Sequence, residues 1–139
     1  GAFTSIITSN KIDKKKYKDK KIECIVGPEI ITGSTRMKAG TATKMILNII
    51  STTTMIKLNK VYQNFMVDLK ISNKKLANRG IKIVSEITDL NKKESMVLIK
   101  KANGKIKNAI LMHLKNKSYI DSCKILQKHN GNLRKALNK

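Results

Sequence analysis

"GPEIITGSTRMKAGTATK", residues 27–44, decides the fold. Gly27-Pro28 is a turn pair that ends the preceding "IECIV" run, which reads as a buried strand over 22–26. Gly33-Ser34-Thr35 is small and polar, and a helical apolar pattern starts at about Thr35. The unit is therefore strand, loop, helix. Free N–H groups at a helix N-terminus carry positive partial charge and bind anions. Gly33 allows close backbone approach, Ser34 and Thr35 offer hydroxyls, and Arg36 and Lys38 add formal charge. One reading is a pocket for a phosphorylated or carboxylated small molecule, in the loop after a strand where open α/β sheets place ligands. The plain alternative is that Ser34 or Thr35 caps the helix while Arg36 pairs with Glu29. Walker-type and dinucleotide spacings are absent.

Glu29 has three candidate roles: holding Arg36, binding sugar hydroxyls, or acting as a general base. A catalytic carboxylate usually works with a second group of separated pKa. None lies close in sequence, which favours a structural or binding role.

Outward from this stretch, "AFTSIIT" at 2–8 reads as another buried strand, and "SNKIDKKKYKDKK" as a solvated connector. The helix predicted from Thr35 to about Leu58 carries Met37, Met45, Ile46, Leu47, Ile49, Ile50 and Met55 on more than one stripe. Such a helix is expected to be buried on most sides, partly by another subunit. Ala39 and Gly40 permit close approach in its first turns. "KVYQNFMVDLK" is compatible with an extended crossing or a helix. Ser72 is predicted to cap a helix to about Thr88, with Ile71 and Leu76 as a hydrophobic staple. Short helical patterns follow at 91–102, 105–115, 118–129 and 132–138, with Asn103-Gly104 and Asn130-Gly131 as stops. They predict a small three-helix bundle.

The 139 residues carry 30 Lys plus Arg against 9 Asp plus Glu, a formal net charge of +21. That balance can mark a nucleic-acid binder. Here the cations are nearly all Lys, spread along the chain, and aromatics are 4%, so stacking platforms are scarce. A nucleic-acid partner is not expected. No apolar run reaches the roughly 18 residues of a membrane span, and no membrane partner is expected. Cys24, Cys123, His113 and His129 lack metal-ligand spacing, and each cysteine is expected to be a small buried hydrophobe in a reducing cytosol. The chain opens on "GAFTSIIT", which reads as a strand already under way and predicts the C-terminal piece of a longer protein.

"GPEIITGSTRMKAGTATKMILNIIST" closely resembles the signature shared by bacterial N-acetylmuramic acid 6-phosphate etherases and the glucokinase regulatory protein. The resemblance continues through "MIKLNKVYQNFMVDLKISNKKL", where it is closer to the etherases, although the family's usual Gly is Asn59 here. It is weakest in "KIDKKKYKDKK". It implies the second half of a sugar isomerase (SIS) domain, an α/β three-layer sandwich with a mainly parallel sheet. It also implies a C-terminal helical bundle resembling a ubiquitin-associated domain. The expected organisation is 1–60 as SIS domain, 61–90 as connecting segment and helix, and 91–139 as bundle.

The implied activity is that of a cytoplasmic, homodimeric carbon–oxygen lyase. It would cleave the D-lactyl ether of N-acetylmuramic acid 6-phosphate without metal or organic cofactor. A base takes the C2 proton, an acid helps lactate leave C3, and water adds. The family's acid and base glutamates and its phosphate-gripping serine-rich loop come earlier than any residue here, so the resemblance implies that the chain alone is inactive. Glu29, Ser34, Thr35, Arg36 and Lys38 carry over as pocket-forming residues, none with a catalytic role. The alternative is a non-catalytic sugar-phosphate-binding regulator like the glucokinase regulatory protein.

Overall fold

The computed structural model describes residues 3–13 and 20–138. The chain is mixed α/β and divides into two compact units, Gly1–Thr54 and Met55–Lys139.

In the first unit, β1 (Ser5–Thr8) pairs in parallel with β2 (Lys20–Glu23), in register from Ser5↔Lys20 to Thr8↔Glu23. The Cys24 N–H extends the ladder to the Thr8 carbonyl at 2.8 Å. The connector expected at 9–21 is described only in part, since 14–19 lie outside the described residues. Glu23 Oε1 accepts from Lys21 Nζ at 2.7 Å and from the Ile12 N–H at 3.0 Å. The Lys21 hydrogen bond first, then the Ile12 N–H, hold this carboxyl below its ordinary range.

The second strand differs from its prediction. It covers Lys20–Glu23 rather than 22–26, because pairing with β1 fixes its extent and the backbone leaves the ladder after Cys24. Neither strand is buried: Ile6 and Ile7 are half-buried, and Ile22 and Ile25 are exposed. Strands of a parallel sheet are normally covered on both faces. Nothing among the described residues of this unit closes over them.

Helix α1 spans Lys38–Lys57. No residue of it is buried within this chain, which holds no second subunit to supply the expected cover. Met45, Leu47, Ile49, Ile50 and Ile56 are all exposed.

The second unit opens with a hairpin, β3 (Val61–Tyr62) against β4 (Phe65–Met66), which settles the ambiguous 60–70 stretch as extended. The turn is made by Gln63, with φ 53°. Val67 then enters the core. Helix α2 (Lys74–Thr88) buries Gly80, Ile83, Val84 and Thr88, one stripe at helical spacing. Its N-cap is Asn73, not Ser72: Asn73 Oδ1 accepts the Leu76 N–H at 2.9 Å. The staple positions therefore move to Ser72 and Ala77, and the predicted Ile71–Leu76 staple does not apply.

Helix α3 (Lys92–Lys101) starts with a capping box in which Asn91 and Glu94 exchange side-chain-to-backbone bonds. It stops at Asn103-Gly104, where both residues are left-handed and the Gly104 N–H returns to the Ile99 carbonyl at 2.9 Å. Helices α4 (Ile106–Leu114), α5 (Tyr119–Lys128) and α6 (Leu133–Leu137) complete the unit. The Gly131 N–H closes α5 in the same way, onto Leu126 O at 2.7 Å.

Helix α4 is the centre. Residues 106–111 are all buried, and α2, α3, α5 and α6 each pack on it. Helix α2, grouped with the connecting segment in the sequence, thus shares one core with α3–α6. Lys107 is buried with its ammonium 3.5 Å from the Asp68 carboxylate. Asn108 donates to Ser122 Oγ at 2.9 Å and to Cys123 Sγ at 3.2 Å. Both cysteines are free and half-buried, less enclosed than expected.

Candidate functional site

The loop from Gly27 to α1 holds the site residues. Gly27 and Gly33 both take left-handed φ, 71° and 81°, which an L side chain rarely adopts. Between them the chain leaves the β2 side, turns through Pro28–Ile31 and folds back, with the Ser34 N–H on the Ile31 carbonyl at 3.0 Å. Residues 35–37 are turn, and the helix begins at Lys38, three positions later than the apolar period suggests.

Glu29 explains the later start. Its Oε2 accepts the Lys38 N–H at 3.0 Å and its Oε1 accepts the Ala39 N–H at 3.0 Å. These are first-turn amides of α1, which have no partner within the helix. In the reverse direction, Lys38 Nζ donates to the Pro28 carbonyl at 2.9 Å. The Glu29 carboxyl lies below its ordinary range because the Ala39 N–H, then the Lys38 N–H, and more weakly the Lys38 charge favour the ionised form. Its negative charge also faces the positive end of the helix.

The structure thus brings Glu29, Ser34, Thr35, Arg36 and Lys38 together around one helix start, with Glu29 in the structural role favoured for it but bonded to α1 amides rather than to Arg36. Neither Ser34 nor Thr35 caps α1 through its side chain, among the described residues; Glu29 caps it from ten residues upstream of Ala39. Ser34 Oγ instead accepts from Arg36 Nε at 3.4 Å. Thr35 contributes its carbonyl, which accepts the Gly40 N–H at 2.8 Å. A Cβ at Gly40 would stand 3.2 Å from that oxygen, the close approach anticipated for Ala39-Gly40. Arg36 and Glu29 form no ion pair among the described residues.

Chemically, the amide pair that could seat an external anion is filled from within the chain. What stays available is the exposed Arg36 guanidinium beyond its Nε, with Ser34 and Thr35 beside it. A guanidinium matches a carboxylate or phosphate two-pronged. Glu29, ionised and spent on two amides, is poorly suited to take a substrate proton.

Sequence reasoning missed Gly80 and Asn132. A Cβ at Gly80 would meet Ile106 Cδ1 at 2.9 Å, so α2 approaches α4 through a glycine that looks like a helix-weakening residue in sequence. Asn132 Nδ2 donates to Asn59 Oδ1 at 2.7 Å, and Asn59 Nδ2 donates to the Asn130 carbonyl at 3.2 Å. The Asn at position 59, with φ 57°, is thereby tied to the loop between α5 and α6. No local signal announces a contact between residues so far apart.

Comparison with known proteins gives one family match and three similar etherases. Residues 63–109 match the family described as the C-terminal lid domain of glucokinase regulatory protein. The chain is 49% identical over 138 residues, 99% of its length, to the N-acetylmuramic acid 6-phosphate etherase of Geobacillus sp. (strain WCH70), covering 47% of that protein. It is 49% identical over 133 residues, 96% of its length, to the etherase of Prochlorococcus marinus (strain NATL1A), covering 43% of it. It is 46% identical over 126 residues, 91% of its length, to that of Staphylococcus epidermidis, covering 43%. The chain is therefore a relative of these etherases along nearly all of its own length, and it spans less than half of theirs. Among the described residues no helix is long and apolar enough to cross a membrane.

Proposed function

We propose that this chain is the C-terminal part of a cytoplasmic carbon–oxygen lyase, an N-acetylmuramic acid 6-phosphate etherase. It would act in recycling of cell-wall amino sugars. The reaction is cleavage of the D-lactyl ether to N-acetylglucosamine 6-phosphate and D-lactate. One observation carries the reading: 49% identity to an etherase across 138 of the 139 residues. The loop geometry supports it, since an exposed guanidinium and two hydroxyl residues stand at one helix start.

In this reading, residues 1–60 are the second half of a sugar isomerase sandwich with a mainly parallel sheet. Residues 61–90 are the connecting segment and helix α2, which packs on 91–139, a bundle resembling a ubiquitin-associated domain. The parallel β1–β2 pair and the helices around α4 support these assignments. The exposed apolar residues of α1 favour cover by further polypeptide, including the second subunit of a homodimer. Glu29, Ser34, Thr35, Arg36 and Lys38 build one wall of the substrate pocket, Glu29 from behind it on the α1 amides. Arg36 meets an anionic group of the substrate. The acid and base are supplied from outside this stretch, as the family resemblance implies, so the 139 residues by themselves release no lactate.

The match of 63–109 to the lid domain of glucokinase regulatory protein favours a second reading, a sugar-phosphate-binding regulator without turnover. One experiment separates the two. The complete polypeptide is incubated with N-acetylmuramic acid 6-phosphate in ¹⁸O-water, and both products are analysed. The etherase releases D-lactate one-for-one with the sugar and places solvent oxygen on C3, because the C3–O bond breaks and water adds there. Saturable binding without lactate supports the regulator, and neither binding nor release contradicts both.

A further inference from the structure

We propose that Glu29 is a positioning residue: it clamps the 28–39 loop onto the first turn of α1 and so fixes where Ser34, Thr35 and Arg36 stand, without touching the substrate. The part of this that concerns a substrate rests on the etherase reading.

Three observations carry it. Both oxygens of the Glu29 carboxylate are engaged, each by a different consecutive amide, at 3.0 Å. A second strut runs the opposite way, from Lys38 Nζ to the carbonyl of Pro28 at 2.9 Å. The loop is thus closed at its two ends by three bonds between 28–29 and 38–39. Inside it, the Ser34 N–H on Ile31 O and the Gly40 N–H on Thr35 O set the path of the backbone. A chain so closed leaves few positions for Arg36, whose Nε is also held by Ser34 Oγ.

Charge points the same way. An ionised carboxylate on the first-turn amides compensates the positive end of α1 and repels a second anion there. A substrate phosphate or carboxylate is therefore met by Arg36 and not by the helix terminus. Glu29 acts on substrate only through the place it gives to that arginine.

The test uses the complete protein with Glu29→Gln and Glu29→Ala. Gln keeps one acceptor oxygen, and Ala keeps none. Amide hydrogen exchange of the segment holding Lys38 and Ala39 is measured together with steady-state lactate release. The proposal expects exchange there to rise in the order wild type, Gln, Ala. KM should rise in the same order, by roughly tenfold or more for Ala, with kcat nearly kept, since loosening a binding group removes ground-state and transition-state binding alike. Equal losses of kcat of about a hundredfold or more for both variants, with amide exchange unchanged, would overturn it and make Glu29 an acid or base. Exchange in wild type as fast as in Glu29→Ala would also overturn it, because the clamp would not exist. Should the Ala variant fail to fold, the Gln variant decides by the same two readouts. If the wild-type protein releases no lactate, the etherase reading fails, while the exchange measurement still decides the clamp.

Discussion

Helices α1 and α4 present the same problem and meet it differently. Both are apolar around most of their circumference. In α4, residues 106–111 are buried without a break, because four helices of the same unit surround it. In α1, no residue is buried, and Ile49 stands 62% exposed. An all-round apolar pattern therefore states that a helix needs cover; it does not state which polypeptide supplies it. Residues 55–139 hold a closed core. Residues 27–39 hold the clamped loop, in a unit whose apolar helix is uncovered.

The largest expected effect tests that contrast by matched truncations. Ile110→Ala, at a fully buried position, should cost about 2–5 kcal/mol in chemical denaturation of the 139-residue chain. Ile49→Ala should change stability by no more than about 0.5 kcal/mol in the same chain. Similar losses at both sites would mean that α1 is packed after all. A smaller effect sharpens the picture of the second unit. Asn91→Ala removes the capping box of α3 and should cost about 1 kcal/mol, read as a shift in the denaturation midpoint. No shift would show that core packing alone holds α3.

The smallest effect concerns acid. The folded-state pKa of Glu29 lies below 4.5, so its stabilising contribution is complete above that ordinary value and is lost as pH falls through the lowered one. Lys38 is the charged group that faces it. Amide exchange at Lys38 and Ala39, corrected for intrinsic pH dependence, should be flat from neutral pH to about 5 and rise only in more acid solution. A rise already near pH 6 would contradict the two-amide clamp.

Legibility in the sequence follows how local the deciding contacts are. The bounds of α3, α5 and α6 lie within one or two residues of expectation because Asn91, Ser118 and Asn132 cap their own first turns, and Asn103-Gly104 and Asn130-Gly131 stop α3 and α5 from within. The start of α1 was not legible, because its cap is a glutamate brought in by a loop. The predicted cap of α2 fell one residue early because Ser72 and Asn73 are both good capping residues and only geometry chooses between them. The extent of β2 depends on its partner β1, across a connector whose sequence carries no register. That Glu29, Ser34, Thr35, Arg36 and Lys38 gather around a Gly33 turn is legible from their spacing. Their division of labour is not, since it rests on which oxygen meets which amide.

The central claim is that the Arg36 loop belongs to a substrate pocket, and a comparison of one cation from each region tests it most directly. In the complete protein, Arg36→Ala and Lys75→Ala are assayed for lactate release from N-acetylmuramic acid 6-phosphate, with thermal melting in parallel. Lys75 is an exposed lysine of α2, and its loss should stay within about 0.5 kcal/mol. Losing a charge-assisted contact at Arg36 should lower kcat/KM by roughly ten- to a hundredfold, about 1.5–3 kcal/mol, with the melting temperature nearly unchanged. Equal kcat/KM for the two variants would contradict the account, as would a fall in Arg36→Ala activity fully matched by a fall in melting temperature.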